Sequence, residues 1–395
     1  MDDPGPRQSL RFLLLYGLAA AGGAVAYVPF LTILLPLRVN ALSGNDNVEW
    51  LAMVTFGGAI AASATNIAFG WLSDLTRRRR SWIALGLCGS SLLLVAMAQA
   101  TSLTGLIALV FCWQVTLNMM LAPLAAWAGD CVPDRQKGLL GGLLAFAPAL
   151  GASCSALVTY PGLAGPDARL VLVAALVVAM VLPALLFGKP HPMPHLMDDA
   201  PEKDLPRVIS SPSTVAKMWA ARLLVQIAEA ALFAYLFFWL RSFIPDFTDS
   251  DTARLFGLVL LTAIPLSFAA GRWADRTGRP IAPLAVAAGF SAIGLVVMAL
   301  AHGVVPAIVG YFIFSLAASV FLAQHSSQVL QVLPAPKRRG RDLGIFNLTN
   351  TIPSLIMPVM TIALVPRFGF SGMFALMAVL AAVACAMLAT MARAR

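Results

Sequence analysis

The sequence predicts an all-α membrane protein, with twelve transmembrane helices in two pseudo-symmetric six-helix bundles. Three observations carry this expectation. Twelve apolar runs follow one another along 395 residues, each near the length of about 20 residues that a helix needs to cross a bilayer. The chain is 59% hydrophobic and only 11% charged, outside the range of a soluble domain. Three loop segments of the first half recur in the second at offsets of 201 to 203 residues, which marks a duplicated unit.

The first six runs are 11–37, 47–72, 81–101, 104–128, 139–160 and 168–188, forming an N-terminal bundle over 1–188. Run 11–37 is too long for a signal peptide and lacks a cleavage pattern, so it is read as the first membrane helix. Residues 189–214 are rich in proline and charge and read as a cytoplasmic linker. The C-terminal bundle, 215–395, holds runs 215–243, 252–273, 281–302, 304–331, 343–366 and 369–391. Runs this continuous suit helices rather than barrel strands.

Little in the chain suggests metal or redox chemistry. His191, Met193 and His195 are copper-ligand types, but a proline-broken linker does not preorganise them. Cys88, Cys112, Cys131, Cys154 and Cys385 are scattered without a C-x-x-C and read as small apolar filler. No metal site and no cofactor are expected. With no clustered His, Cys or acids, no nucleotide loop and no serine elbow, an enzyme is not expected either.

Charge sets the orientation. With both termini inside, the outer loops hold Arg38, Arg169, Arg241, Arg254 and Arg367, five of the 27 basic residues. Basic residues gather on the cytoplasmic side of membrane proteins, so the termini and the linker are placed there. The formal charge of +9 is thereby absorbed by topology, and no nucleic-acid partner is expected.

The repeats place chemistry. The segment GWLSDLTRRRR from Gly70 has its counterpart in GRWADRTGRP from Gly271, with Gly70 and Gly271, and Asp74 and Asp275, 201 residues apart. VPDRQKGLLGG from Val132 matches LPAPKRRGRDLG from Leu333, pairing Gly138 with Gly340 and Gly142 with Gly344 at an offset of 202. A third pair matches Arg38 with Arg241 at 203.

The duplicated G-x-x-[SA]-D pattern resembles the loop signature of the major facilitator superfamily, over helix count, halves and loops of the whole chain. Gly70, Leu72, Ser73, Asp74, Arg78, Arg79 and Arg80 fit in the first half. Leu75 and Arg77 depart, where a basic residue and a glycine are expected. Gly271, Ala274, Asp275, Arg276, Gly278 and Arg279 fit in the second. The resemblance implies the major facilitator fold and transport by alternating access. It also suggests a conformational latch of Gly70, Asp74, Arg78, Asp130, Gly271, Asp275, Arg276 and Arg279. Asp74 would face the start of the eleventh helix near Gly344, and Asp275 the start of the fifth near Gly138, where a carboxylate gains from a helix N-terminus. Arg78 would pair with Asp130 or Asp134.

Polar residues inside a membrane are costly and mark function. Glu229 is the one deep acid, on a face of the seventh helix with Gln226 and Phe233, and is the expected proton carrier. Gln114 and Asn118 on the fourth helix, Tyr311 on the tenth, and Asn347 and Asn350 on the eleventh are, with Gln226, candidate contacts to a hydroxyl- or amide-bearing solute. Each is also the type of residue that holds helices together. Gln324 and Gln328 are weaker candidates, and His325 is read as structural or gating.

RGRDLGIFNLTNTIPSLIMP from Arg339 and SDLTRRRRSW from Ser73 resemble sugar and glycoside symporters. The expectation is therefore a proton-coupled transporter of a small hydroxyl-bearing solute such as a sugar or glycoside. It would work as a monomer in the lipid bilayer of a bacterial inner membrane. APALGA, Ala147 to Ala152, instead resembles the proline bend of drug and proton antiporters, so proton-driven export of amphipathic compounds stays open. So does a non-transporting sensor or lipid flippase.

Overall fold

A computed structural model describes residues 7–43, 47–160, 162–196, 212–246, 249–333 and 336–393. Among them every regular element is a helix. The chain divides into two compact units. The first gathers Met1–Pro133, Phe146–Lys203 and Ala335–Asn347; the second gathers Asp134–Ala145, Asp204–Pro334 and Leu348–Arg395. Each unit thus includes a short segment from the other half of the sequence, and the two short segments are counterparts in the repeat.

In the first unit α1 (Leu10–Pro29) starts at Ser9, whose hydroxyl accepts from the Phe12 N–H at 3.2 Å, an ordinary N-cap. Pro29 brings no N–H to the ladder, and the helix widens into a π turn over Phe30–Leu34 before α2 (Leu35–Ser43). Then come α3 (Asn47–Thr76), α4 (Arg79–Met97) and α5 (Leu103–Cys131). Next along the chain, α6 (Lys137–Leu144) is part of the second unit, while α7 (Phe146–Val158) and α8 (Pro166–Phe187) return to the first. The break between α6 and α7 falls at Ala145, three residues before Pro148. A proline there cannot donate to the carbonyl of Leu144, so the ladder is open at that point.

The second unit continues with α9 (Pro212–Arg241), α10 (Asp249–Thr277), α11 (Ala282–Ala299), α12 (Val304–Val332) and, from Leu348 on, α13 (Arg339–Arg393), whose earlier residues belong to the first unit. The runs 343–366 and 369–391, expected as two helices, lie on α13 and are parted only at Gly369, with φ 65° and ψ −175°, a backbone shape open to glycine. Nine stretches among the described residues are long and apolar enough to cross a membrane. Runs 47–72, 215–243 and 343–366 also lie on helices, α3, α9 and α13, outside those nine.

Packing follows the rule of apolar surroundings, where small residues let helices approach closely. A Cβ on Gly86 of α4 would meet the backbone of Met119 and Met120 on α5. In the second unit α11 runs along α12 in the same manner, with Gly294 against Phe314 and Gly310. Aromatic rings close the first unit near the start of α1. Trp127 meets Phe12 edge-on at 5.3 Å, and the Tyr16 hydroxyl donates to the Leu124 carbonyl at 3.2 Å. The start of the polar gap is folded onto this unit. The Gln8 amide donates to the carbonyls of Cys131 (2.9 Å) and His191 (3.2 Å) and accepts from the His191 N–H, while Met193 is buried. Residues 197–211 of the expected linker lie outside the described residues.

Candidate functional site

The loop signatures are built on helix ends. Asp74 sits in the last turn of α3, and its carboxylate accepts from the N–H groups of Gly340 and Arg341, both at 2.9 Å, across 266 and 267 residues of sequence. These are unpaired donors of the first turn of α13, and a carboxylate there also gains from the partial positive charge of the helix end. The contact is possible because Gly70 and Gly340 lie backbone to backbone: a Cβ on either would overlap the carbonyl of the other. Gly344, one turn on, packs on the backbone of Ile67.

A buried charge network backs this contact. Arg79 donates to Asp74 at 2.5 Å and to Asp130 at 2.9 Å, and Arg339 donates to the other oxygen of Asp130 at 2.9 Å. All four side chains are at most 8% exposed. Two acids and two arginines balance in charge, which is what burial requires. The arginine that meets Asp130 is therefore Arg79, not Arg78 as the sequence suggested. Asp134 instead pairs with Lys137, three residues on. The four consecutive arginines take four different positions. Arg77 stands at φ 53°, the one non-glycine with positive φ among the described residues. Arg78 is the exposed residue before α4, Arg79 enters the network, and Arg80 donates to the Leu185 carbonyl near the end of α8. The left-handed conformation costs a residue with a Cβ about 1–2 kcal/mol. The equivalent position of the second signature holds Gly278, at φ 63°.

In the second unit the backbone arrangement repeats. Asp275, near the end of α10, accepts from the N–H groups of Gly138 (3.0 Å) and Leu139 (3.1 Å) at the start of α6. Gly271 and Gly138 approach as closely as Gly70 and Gly340 do. The charges do not repeat. Asp275 is exposed, and Arg276 and Arg279 are exposed without a side-chain hydrogen bond or ion pair among the described residues. Gln324 of α12 donates to the Ser267 carbonyl of α10 at 2.6 Å.

The polar residues of the apolar runs fall into two groups. In the first unit Asn118 accepts from the amide of Asn66 on α3 at 2.8 Å and donates to the Gln114 carbonyl one turn back. Gln114 and Asn118 are both buried, and Asn347 is half-buried. In the second unit a cluster forms around Arg222. Its guanidinium donates to Ser326 (3.1 Å) and Asn350 (3.2 Å) and meets His325 Nδ1 at 3.3 Å. Gln226 donates to the same Asn350 oxygen at 2.5 Å. His325 Nε2 lies 3.0 Å from the Met218 carbonyl, so the tautomer with Nε2–H donates there and leaves Nδ1 to accept from Arg222. Glu229, two turns along α9 from Arg222, is half-buried and has Arg222 and Tyr311 as electrostatic neighbours. It carries no hydrogen bond or ion pair among the described residues. Tyr311 is fully buried, edge-on to Phe256. The side chain of Phe233 lies outside the described residues.

Sequence reasoning missed Arg79, Arg339, Asn66 and Arg222. Arg222 lies within the run 215–243. Its spacing from Glu229 and Gln226, seven and four residues, put all three on one helical face, which is the signal that could have found it.

Two units with matched carboxylate-capped helix ends define an all-α membrane protein of duplicated build. Residues 242–395 match the model of the Major Facilitator Superfamily. No curated protein sequence matches the chain. Solved structures similar to it include the human organic anion transporter MFSD10 (TETRAN), at 16% identity and TM-score 0.71, covering 96% of this chain and 99% of that one. The Major Facilitator Superfamily transporter FucP in the outward conformation is 15% identical with TM-score 0.75, covering 97% and 98%. The proton:xylose symporter XylE bound to 6-bromo-6-deoxy-D-glucose is 12% identical with TM-score 0.69, covering 96% and 95%. The chain has the fold of these major facilitator superfamily structures, and its residues 242–395, which include the Gly271 signature, match the model of that family.

Proposed function

We propose that the protein is a secondary active transporter, coupled to protons, that moves a small hydroxyl-bearing organic solute such as a sugar or glycoside by alternating access. The observation that carries this is the placement of Glu229. It is an acid within the apolar run 215–243, one turn from Gln226, which with Arg222 converges on Asn350. A carboxyl group inside a membrane protein can take up and release a proton as its surroundings change, and the neighbouring amides match hydroxyl groups on a solute. Gln226, Asn350 and Tyr311, with Gln114, Asn118 and Asn347, are the proposed substrate contacts. Asn118 is the weakest of them, since it already bonds Asn66. The XylE likeness favours a sugar and a proton.

In this reading the glycine–carboxylate contacts at Asp74 and Asp275 are latches that close in one conformation and open in another. The protein sits in a bacterial inner membrane with both termini cytoplasmic, as a monomer.

The test is uptake into proteoliposomes under an imposed pH gradient, after a thermal-shift screen of sugars, glycosides, organic acids and drugs. Glu229→Gln should abolish accumulation driven by the gradient while leaving exchange of substrate for substrate. An unchanged pH dependence in that variant would refute proton coupling through Glu229. A second reading, proton-driven export of amphipathic or anionic compounds, is favoured by the Arg222 cation in the cluster and by the likeness to an organic anion transporter. Stabilisation by such compounds and not by sugars selects it. Binding without any counterflow would instead indicate a sensor, and movement of labelled phospholipid a flippase.

A further inference from the structure

The first unit carries a cavity of about 490 Å³ that the latch does not explain. Four cations line it: Arg77 from the end of α3, and Lys337, Arg338 and Arg341 from the turn before α13 and its first residues. Trp71 and Leu75 form an apolar wall and remain 49% and 62% exposed. The one acid in the lining, Asp74, is already committed to Gly340, Arg341 and Arg79. Arg341 also reaches Asp342. Arg77 and Arg338 make no side-chain hydrogen bond or ion pair among the described residues.

Arg77 is the unusual member. Its backbone holds a left-handed conformation that the second signature gives to Gly278. A residue kept in an unfavourable backbone shape points to a role for its side chain. Topology does not require it, since Arg78, Arg79 and Arg80 follow directly.

We propose that this cavity binds a phosphate group, and that the phosphate is the headgroup of an anionic phospholipid whose chains lie against Trp71 and Leu75. Unpaired guanidinium groups match phosphate oxygens, in geometry as well as charge. Exposed tryptophan and leucine beside them suit the boundary between headgroup and chain. A soluble phosphate would use the cations but not the apolar wall. That the lipid comes from the cytoplasmic leaflet rests on the orientation proposed above; the binding itself does not.

The test uses the full-length protein in neutral detergent, with phosphatidylglycerol, phosphatidylcholine of the same chains, and inorganic phosphate as three arms. Native mass spectrometry and thermal shift read binding. Wild type should retain phosphatidylglycerol in preference to phosphatidylcholine. Each of Arg77→Gly and Arg338→Gln should weaken that retention roughly fivefold, the order expected for one cation near a lipid headgroup. Arg77→Gly installs the residue of the second signature, so folding should survive, and Arg338→Gln is an independent check outside the strained position. Protection by inorganic phosphate alone, lost in both variants, would keep the phosphate site and assign it to a soluble phosphate. Equal retention of phosphatidylglycerol by wild type and both variants, or equal binding of the two lipids, would overturn the proposal. Labelling of Arg338→Cys in intact cells and inverted vesicles reads the orientation separately.

Discussion

Asp74 and Asp275 use their carboxylates alike. Each accepts two N–H groups at the start of a helix, and each stands one turn from a glycine pressed against another glycine. Their surroundings diverge. Asp74 is buried and belongs to a four-member chain of charges through Arg79, Asp130 and Arg339; Asp275 is exposed, and its hydrogen-bond partners among the described residues are backbone alone. The repeat shows where the difference arises. The position 201 after Arg79 is Pro280, the position 201 after Asp130 is Gln331, and Arg339 corresponds to Lys137. Lys137 is buried like Arg339 but pairs within three residues, to Asp134. The shared part is geometric: a glycine notch and a carboxylate on a helix end. The charge network is an addition to one copy, and it makes the two contacts unequal.

The largest test of that inequality is Asp130→Ala. It would leave Arg79 and Arg339, both buried, without their shared acid. Removing one partner of a buried ion pair costs about 3–5 kcal/mol, so a pronounced fall in thermal stability in detergent is expected. A fall within the range of a surface substitution would mean that the network contributes little.

Next come the two carboxylates themselves. Asp74→Ala removes two charge-assisted hydrogen bonds and half the compensation of Arg79, an expected loss of about 3 kcal/mol. Asp275→Ala loses only its bonds to a helix N-terminus, about 1 kcal/mol. If both act as latches, both should reduce turnover in proteoliposomes, Asp74→Ala more. Normal turnover in Asp74→Ala would sink the latch; equal stability losses would break the comparison.

The glycine notches should respond equally. Gly70→Ala and Gly271→Ala each drive a methyl group into a facing carbonyl, and overpacking of this kind costs about 2 kcal/mol. A much smaller effect at Gly271 would show that the second contact can yield where the first cannot.

What the sequence disclosed, and what it hid, follows the same division. Duplication at a constant offset exposed the glycine and aspartate pairs and the helix starts near Gly138 and Gly344 that the aspartates were expected to face; Asp74 meets its helix one turn earlier, at Gly340 and Arg341. Side-chain register within a charged run was hidden. Four consecutive arginines look alike on paper, whereas in the structure Arg77 takes a left-handed turn, Arg78 is exposed and Arg79 is buried. Arg339 was hidden by its neighbours, since KRRGR reads as a topology signal, and its partner Asp130 lies 209 residues away. In the apolar runs, helical spacing put Gln114 with Asn118 and Gln226 with Glu229. It could not supply Asn66, nor the bonds from Arg222 to Ser326 and Asn350, because periodicity describes one helix and these bonds join several.

The smallest effect tests the backbone alone. Arg77 and Gly278 occupy the same place in the repeat at nearly the same φ, 53° and 63°. Arg77→Gly relieves about 1–2 kcal/mol of left-handed strain and gives back about 0.5–1 kcal/mol through the greater freedom of glycine in the unfolded chain. The net expectation is a gain of about 0.5–1 kcal/mol in lipid-free detergent, seen as a small rise in melting temperature. Gly278→Arg should reverse the sign, with a loss of similar size. If Arg77→Gly instead destabilises the protein in the absence of lipid, its side chain is held by protein contacts. The role of the Arg77 side chain would then be structural, as that of Arg79 is.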